Sequence, residues 1–382
     1  MKACIFLDTS NLSTFYIYPL IKEDLKKKGI SLDIYVNPFE TTMGFNEKQL
    51  RNSGYDNFVY KDVVFGFPSE KEYSALFLSN ALNKDAPYSC GERLAFQFSS
   101  AGKKVISLKS STCLTNHNWN RDGNKNLNIT YALPQKRIGL VKGIDHLKNM
   151  KRFEMSPLDL YKHQKPFHLS IQDFYSKYNI SDDYKIISFF PSGMHGHKSC
   201  PTSHRLHKDL ESLNKLLNKK GYQIVCKLHP HEYFGRKAHF YDNKLSSDFY
   251  FKNLPTIMES DAYELIKYSS FSLTSLTTMV WEHYVYDLPT INVGFGDDFS
   301  AENVEVQSYF YPDFDFRGLI FGDIYSGEEF FNNPGECFDL SFSRNHDVGS
   351  FEFKGDNPIM GKAHSETMEN ISSQFNELLS HI

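Results

Sequence analysis

Lys227-Leu228-His229-Pro230-His231-Glu232 follows directly on an apolar run and gathers a lysine and two histidines within five residues. Lys227, His229 and His231 put hydrogen-bond donors on a loop whose backbone is fixed by Pro230. Such a loop can hold a diphosphate and neutralise a phosphate as it leaves. The competing reading of His229 is a turn with a satisfied histidine. His231 lies beyond the turn, so it need not share the surroundings of His229.

A second stretch, Ser269 to Thr278, carries hydroxyls at Ser269, Ser270, Ser272, Thr274, Ser275, Thr277 and Thr278 and leads into a helical pattern from Met279 to Tyr286. Hydroxyls at a helix start can cap it. The same geometry presents hydroxyl and amide donors to a phosphate, and Glu282, one turn inside, could accept ribose or sugar hydroxyls. Capping accounts for one or two of these seven hydroxyls but not for the whole run, and Ser275, Thr277 and Thr278 are the candidate phosphate contacts.

The third stretch is Pro191-Ser192-Gly193-Met194-His195-Gly196-His197-Lys198, with Ser203, His204 and His207 beyond it. Gly193 and Gly196 permit close approach of backbone to ligand, and His195, His197 and Lys198 add donors. The spacing of these histidines fits no zinc pattern, so no metal is expected. Asp8 stands where the first apolar run ends. It serves there either as a general base towards an acceptor hydroxyl or, with Thr9, Ser10 and Asn11, as a helix cap.

These residues need elements to position them, and the apolar pattern supplies strands alternating with helices. In the first half, strands are expected at Ala3 to Leu7, Leu32 to Val36, Asp62 to Phe65, Lys104 to Leu108 and Ile138 to Val141, with helices through Leu20 to Leu25 and Glu92 to Ser100. Residues 110 to 135 are Asn-rich and read as a surface loop. Lys148 to His168 reads as a solvated linker, with the basic cluster Lys148, Lys151 and Arg152 inside it. The pattern then restarts: a short helix at Ile171 to Tyr178, strand Ile186 to Phe190, helix His204 to Lys220, strand Gln223 to Lys227, helix Asp261 to Tyr268, strand Phe271 to Leu273, helix Thr277 to Tyr286 and strand Thr290 to Val293. A last amphipathic helix spans about His364 to Leu379.

Such alternation predicts parallel sheets with helical crossovers, and a chain of 382 residues exceeds one ordinary core. The expected architecture is α/β, with two tandem Rossmann-like parallel-sheet domains facing an interdomain cleft. The expected units are residues 1–165, residues 180–335 and a tail, 336–382, whose helix packs back on the domains. Ligands in open parallel sheets bind outside the strand carboxyl ends, which is where the candidates above fall.

Composition excludes several classes. Lys and Arg total 42 against 46 Asp and Glu, a net charge of −4, so no global positive field draws the chain to nucleic acid. The six cysteines form no CxxC pair and read as buried thiols of a reducing compartment. The apolar run Ala3 to Leu7 is too brief for a signal-peptide core or a membrane span, so the expectation is a cytoplasmic protein whose membrane contact is peripheral, at the inner face. There is no GxGxxG after a strand, no GxxxxGK(S/T), no GxSxG and no HExxH, which removes hydride transfer, P-loop hydrolysis and lipase chemistry.

With these motifs in view, the second half resembles the donor-binding domain of GT-B enzymes that build bacterial surface polymers. These are the CDP-glycerol glycerophosphotransferases of teichoic acid assembly, the capsule polysaccharide enzymes that transfer Kdo, and the bacterial sialyl- and polysialyltransferases. Lys227, His229 and Pro230 match their His-Pro motif, and Thr277 and Thr278 fall where their Ser-Ser pair stands, counted back from Glu282 and Pro289. Thr-Thr for Ser-Ser keeps the hydroxyls and adds methyls, and the acidic-acidic-Gly motif of the sialyltransferases is not recognisable in the first half. The resemblance implies a glycosyltransferase or glycerophosphotransferase. It would take a nucleotide-activated donor, CMP- or CDP-linked before UDP-linked, and an oligosaccharide or lipid-linked acceptor, and it would need no bound cofactor. Two alternatives share the architecture: a sugar-nucleotide epimerase, and a non-catalytic nucleotide-sugar-binding component of a polysaccharide assembly complex.

Overall fold

Two parallel sheets carry the chain. The computed structural model describes residues 1–7, 22–36, 60–62, 67–78, 90–108, 129–133, 152–154, 169–191, 201–227, 253–257, 262–275, 288–294, 322–344 and 373–380, with residues 277, 279, 282, 283 and 286. The first sheet comprises β1 (Lys2–Leu7), β2 (Ser31–Val36), β3 (Tyr60–Asp62), β4 (Ala75–Leu78), β5 (Lys104–Leu108), β6 (Ile129–Leu133) and β7 (Arg152–Glu154), in the order β3-β2-β1-β4-β5-β6-β7. The second comprises β8 (Lys185–Phe190), β9 (Tyr222–Lys227), β10 (Thr256–Ile257), β11 (Ser269–Thr274), β12 (Thr290–Val293) and β13 (Asp323–Tyr325), in the order β10-β9-β8-β11-β12-β13. Every pairing is parallel. Each sheet therefore reverses its winding once, at β1/β4 and at β8/β11, and those reversals are the crevices where doubly wound sheets bind ligands.

The doubly wound fold expected from the alternation is thus present, with differences in the elements. Lys104–Leu108 and Thr290–Val293 fall where the pattern puts them. Of the expected strand Asp62 to Phe65 only Asp62 is among the described residues, at the end of β3 (Tyr60–Asp62), and the helix expected from His204 begins earlier, at Pro201–Asn218. β6 lies inside the Asn-rich stretch read as a loop, and β7 takes Arg152 out of the presumed linker into the sheet edge. The strand expected at Ile138 to Val141 lies outside the described residues.

In the second sheet, buried strands sort their side chains by alternation. Ile187, Phe189, Phe271, Leu273, Ile291 and Val293 face a core filled by Leu206, Leu210, Leu213 and Leu217, which recur along one stripe of the helix Pro201–Asn218. Phe330 and Phe338, from the helices Gly327–Asn332 and Pro334–Ser343, close the same core. The ring of Phe342 stacks on Tyr222 at 4.6 Å and 8°, fastening the last of these helices to the sheet. On the other face, Ile186, Phe190 and Val225 meet Phe174, Leu265, Ile266 and Leu288. β10 is only two residues long, and Asn214 of the long helix supplies a side-chain acceptor for Ile224 N–H at 2.8 Å.

The helical residues 373–380 bury Phe375, Leu378 and Leu379, and Lys28 Nζ donates to Asn376 O at 2.7 Å. The chain's last helix therefore touches the segment that leads into β2. Among the described residues no helix is long and apolar enough to cross a membrane.

The long helix starts against the carboxyl edge of the second sheet. Thr202 lies over Gly294, which follows β12 with φ +66°, and a Cβ at 294 would collide with the Thr202 side chain. Gly294→Ala should cost about 2–4 kcal/mol, adding the left-handed backbone penalty to overpacking, read as a lowered denaturant midpoint. Pairing it with Thr202→Ser, which removes the nearest methyl, should recover part of the loss. A Gly294→Ala protein as stable as the parent would contradict this packing.

Candidate active site

The hydroxyl run Ser269 to Thr278 can now be sorted by where each hydroxyl goes. Ser269 Oγ donates to Leu265 O at 2.5 Å. Ser272 and its register partner Ser188 bond main-chain carbonyls across β8 and β11, Ser272 Oγ to Ser188 O and Ser188 Oγ to Phe271 O, each at 3.4 Å. Thr274 Oγ1 donates to Asn292 Oδ1 at 2.8 Å. Thr277 Oγ1 accepts from Met279 N at 3.3 Å, which makes it a local cap of the turn that follows. Ser270 is exposed.

Ser275 is the exception. It is 1% exposed, stands directly after β11, and its Oγ has no hydrogen-bond partner among the described residues. Leaving a buried hydroxyl unsatisfied costs about 1–3 kcal/mol, so its position at the sheet reversal β8/β11 calls for a function. A ligand phosphate is an acceptor that would satisfy it.

The strand register shows what stands beside it. Thr274 pairs with Phe190 at the end of β8, and Cys226 pairs with Phe189, so Lys227 ends β9 in line with Phe190. Two strand spacings, about 10 Å, separate the β9 and β11 edges. Lys227 is 9% exposed and brings a cation to this edge. Pro191 follows β8 at this edge. Glu282 and Thr277 are also buried. Lys227, Ser275, Thr277 and Glu282 therefore all belong to the second sheet's carboxyl edge and the helical turn that follows it. His229, His231, Asp8, Gly193, His195, His197 and Thr278 lie outside the described residues.

Two of the described histidines are buried. His207 is buried in the core of the long helix, edge-on to Phe189 at 5.2 Å. Among the described residues no group of three His, Cys, Asp or Glu could hold a metal ion. His283, not singled out by the pattern, is fully buried against Phe190 at 5.1 Å, with Nδ1 at 3.4 Å from Thr290 Oγ1. Burial pushes its imidazole down to about 3, against the opposing pull of the neighbouring Glu282 charge. Burial and the charges of Glu282 and Glu264 raise Tyr286. Asn292 was also missed, although a lone amide in the strand Thr290-Ile291-Asn292-Val293 was a visible sign of a buried polar contact.

The chain matches no protein-family model. It also matches no curated protein by sequence. Solved structures do resemble it. The UDP-GlcNAc 2-epimerase from Neisseria meningitidis bound to UDP-GlcNAc superposes with a TM-score of 0.59 at 13% identity, covering 100% of both chains. The chain has the GT-B fold. The wall teichoic acid polymerase TagF with CDPG gives 0.54 at 14% identity over 99% of this chain and 89% of that one. The spinosyn forosaminyltransferase SpnP gives 0.50 at 8% over 100% and 98%. At these identities the likeness establishes the GT-B architecture and not the teichoic acid or capsule groups whose motifs the second half resembles.

His283 gives this half of the GT-B fold a pH signature. Unfolded, the imidazole takes a proton near pH 6.5, and folded it does not until about 3. Its stabilisation is complete above pH 6.5 and is lost as pH falls from there towards 3, by up to about 1.4 kcal/mol per unit. Urea midpoints at pH 7 and pH 5 should show the parent losing about 2 kcal/mol more than His283→Gln. Equal losses would show that His283 is protonated in the folded protein.

Proposed function

We propose that this chain is an enzyme acting on a nucleotide-activated sugar, with the nucleotide's phosphates bound at the carboxyl edge of the second sheet. The observation that carries the reading is the buried, unsatisfied Ser275 hydroxyl at the β8/β11 reversal. Lys227 is the cation of the site, Ser275 and Thr277 with Thr278 its hydroxyl and amide donors, and Glu282 the acceptor for ribose or sugar hydroxyls. His229, with His231, Gly193, His195 and His197, completes the phosphate cradle. In either reaction considered below, these donors would stabilise charge that grows on the phosphate as the bond to the sugar weakens, an effect worth about 3–4 kcal/mol for one well-placed donor.

The first reading of the reaction is epimerisation of the nucleotide sugar. It is supported by the match to the Neisseria enzyme, which runs the full length of both chains, and it needs no acceptor site. The second is transfer to an acceptor hydroxyl of an oligosaccharide or lipid-linked acceptor, with Asp8, the residue after β1, as base. It is supported by the Lys227-His229-Pro230 and Thr277-Thr278-Glu282 pattern and by the likeness to TagF. The cleft between residues 1–165 and 180–335 would hold both substrates, with 336–382 as the tail. Donor preference follows the same division, uridine-linked for the first reading and cytidine-linked for the second.

Incubation with UDP-, CDP- and CMP-linked sugars, with and without acceptor, separates the readings. A changed nucleotide sugar without acceptor supports epimerisation; nucleotide released only with acceptor supports transfer. No turnover of any donor would contradict the enzyme reading. Ser275→Ala and His229→Ala should each lower turnover by about 10²-fold or more while leaving the folded state intact. Parental turnover in both variants would overturn the assignment of the site.

A further inference from the structure

A polar thread runs through the second sheet where an apolar one would be expected. Ile291 and Val293 face one core, so alternation turns Thr290 and Asn292 to the opposite face. Asn292 is fully buried in the strand β12, flanked by those two apolar neighbours. Its Oδ1 accepts from Thr274 Oγ1 at 2.8 Å, and its Nδ2 reaches Asp323 O at 3.5 Å. Asp323 is in turn held by Arg344 at the end of the helix Pro334–Ser343. Burying an amide gains nothing over a valine unless its directional bonds are used, because each polar group must first give up water. Thr274 and Asn292 are direct register partners, and Thr274 immediately precedes Ser275.

We infer that the Thr274–Asn292 hydrogen bond is a positioning device that holds the carboxyl edge of β11 in one geometry, so that Ser275 Oγ and the turn capped by Thr277 meet the nucleotide phosphates already aligned. The inference rests on the reading of Ser275 as a phosphate donor. Ladder hydrogen bonds fix the strand as far as Thr274, and beyond it the chain leaves the sheet. The last side chain inside the ladder is therefore the natural place to set the direction in which the next residue points. Asn292 reaches it from β12, and the amide's second bond ties the contact to β13, so three strands share the fixing of one edge. Neither residue need touch the ligand.

Titration calorimetry with CMP, CDP, UDP and GDP tests this on the full chain, at a temperature well below the melting point of every variant. Thr274→Val is nearly isosteric and removes only the hydroxyl; it should weaken the nucleotide's Kd about fivefold to tenfold. Thr274→Ser restores the hydroxyl and should bind within about twofold of the parent. Asn292→Leu should weaken binding to a similar degree, and the double variant Thr274→Val with Asn292→Leu should be no worse than either alone. A purely structural contact would lower the melting temperature and leave Kd unchanged in the folded protein. That result for Thr274→Val, or a Thr274→Ser variant as weak as Thr274→Val, would overturn the inference. A parent that binds none of the four nucleotides would overturn the phosphate-site reading itself, and this inference with it.

Discussion

The parallel pairing of β8 with β11 is the constraint from which the second domain follows. Both strands are buried on both faces, so each polar side chain within them must find a partner inside the sheet. Ser188, Ser272 and Thr274 do so across neighbouring strands. The chain leaves the ladder one residue later, at Ser275, on the edge where the winding reverses. There its hydroxyl is buried and has no hydrogen-bond partner among the described residues. The same reversal puts the end of β8 beside it, with Lys227 at the end of β9 one strand further along the same edge.

Packing elsewhere serves to keep that edge still. The leucine stripe of the helix Pro201–Asn218 presses on one face, and the helix begins with Thr202 lying over Gly294 and Gly327. Those glycines admit the helix start close to the carboxyl ends of β12 and β13, where a side chain would have held it off. On the other face His283, in the turn that also holds Glu282, packs against Phe190 and meets the Thr290 hydroxyl. Burial keeps His283 uncharged across the physiological range, so that turn carries one acidic group and no compensating cation of its own. In a site built for a diphosphate, that arrangement suits Glu282 to sugar or ribose hydroxyls and leaves phosphate charge to Lys227 and the hydroxyl donors.

Much of this was legible in the residues. Short apolar-rich runs such as Lys104–Leu108 and Thr290–Val293 announced their strands, and Leu206, Leu210, Leu213 and Leu217 announced the long helix. The alternation of such elements predicted two doubly wound sheets. β10, β7 and β13 were not legible, because two or three residues carry no period. β6 was hidden because Asn-rich neighbours outweighed its five residues. In the site, the hydroxyl run was visible but its division of labour was not. Sequence alone cannot tell a serine that bonds a carbonyl across the sheet, such as Ser272, from one whose hydroxyl is left without a partner among the described residues, such as Ser275, because the difference is set by register. Asn292 shows the converse: an odd residue in an apolar strand marked a contact whose partner only the fold reveals.

Hydrogen–deuterium exchange of the full chain, with and without saturating nucleotide, tests the location of the phosphate site most directly. The account predicts slowed exchange concentrated at the carboxyl end of β11 and the following turn, residues 274–283, and at the end of β9, with the amino-terminal ends of the same strands unaffected. Protection confined to the first sheet, or tight nucleotide binding with no protection at 274–283, would contradict it.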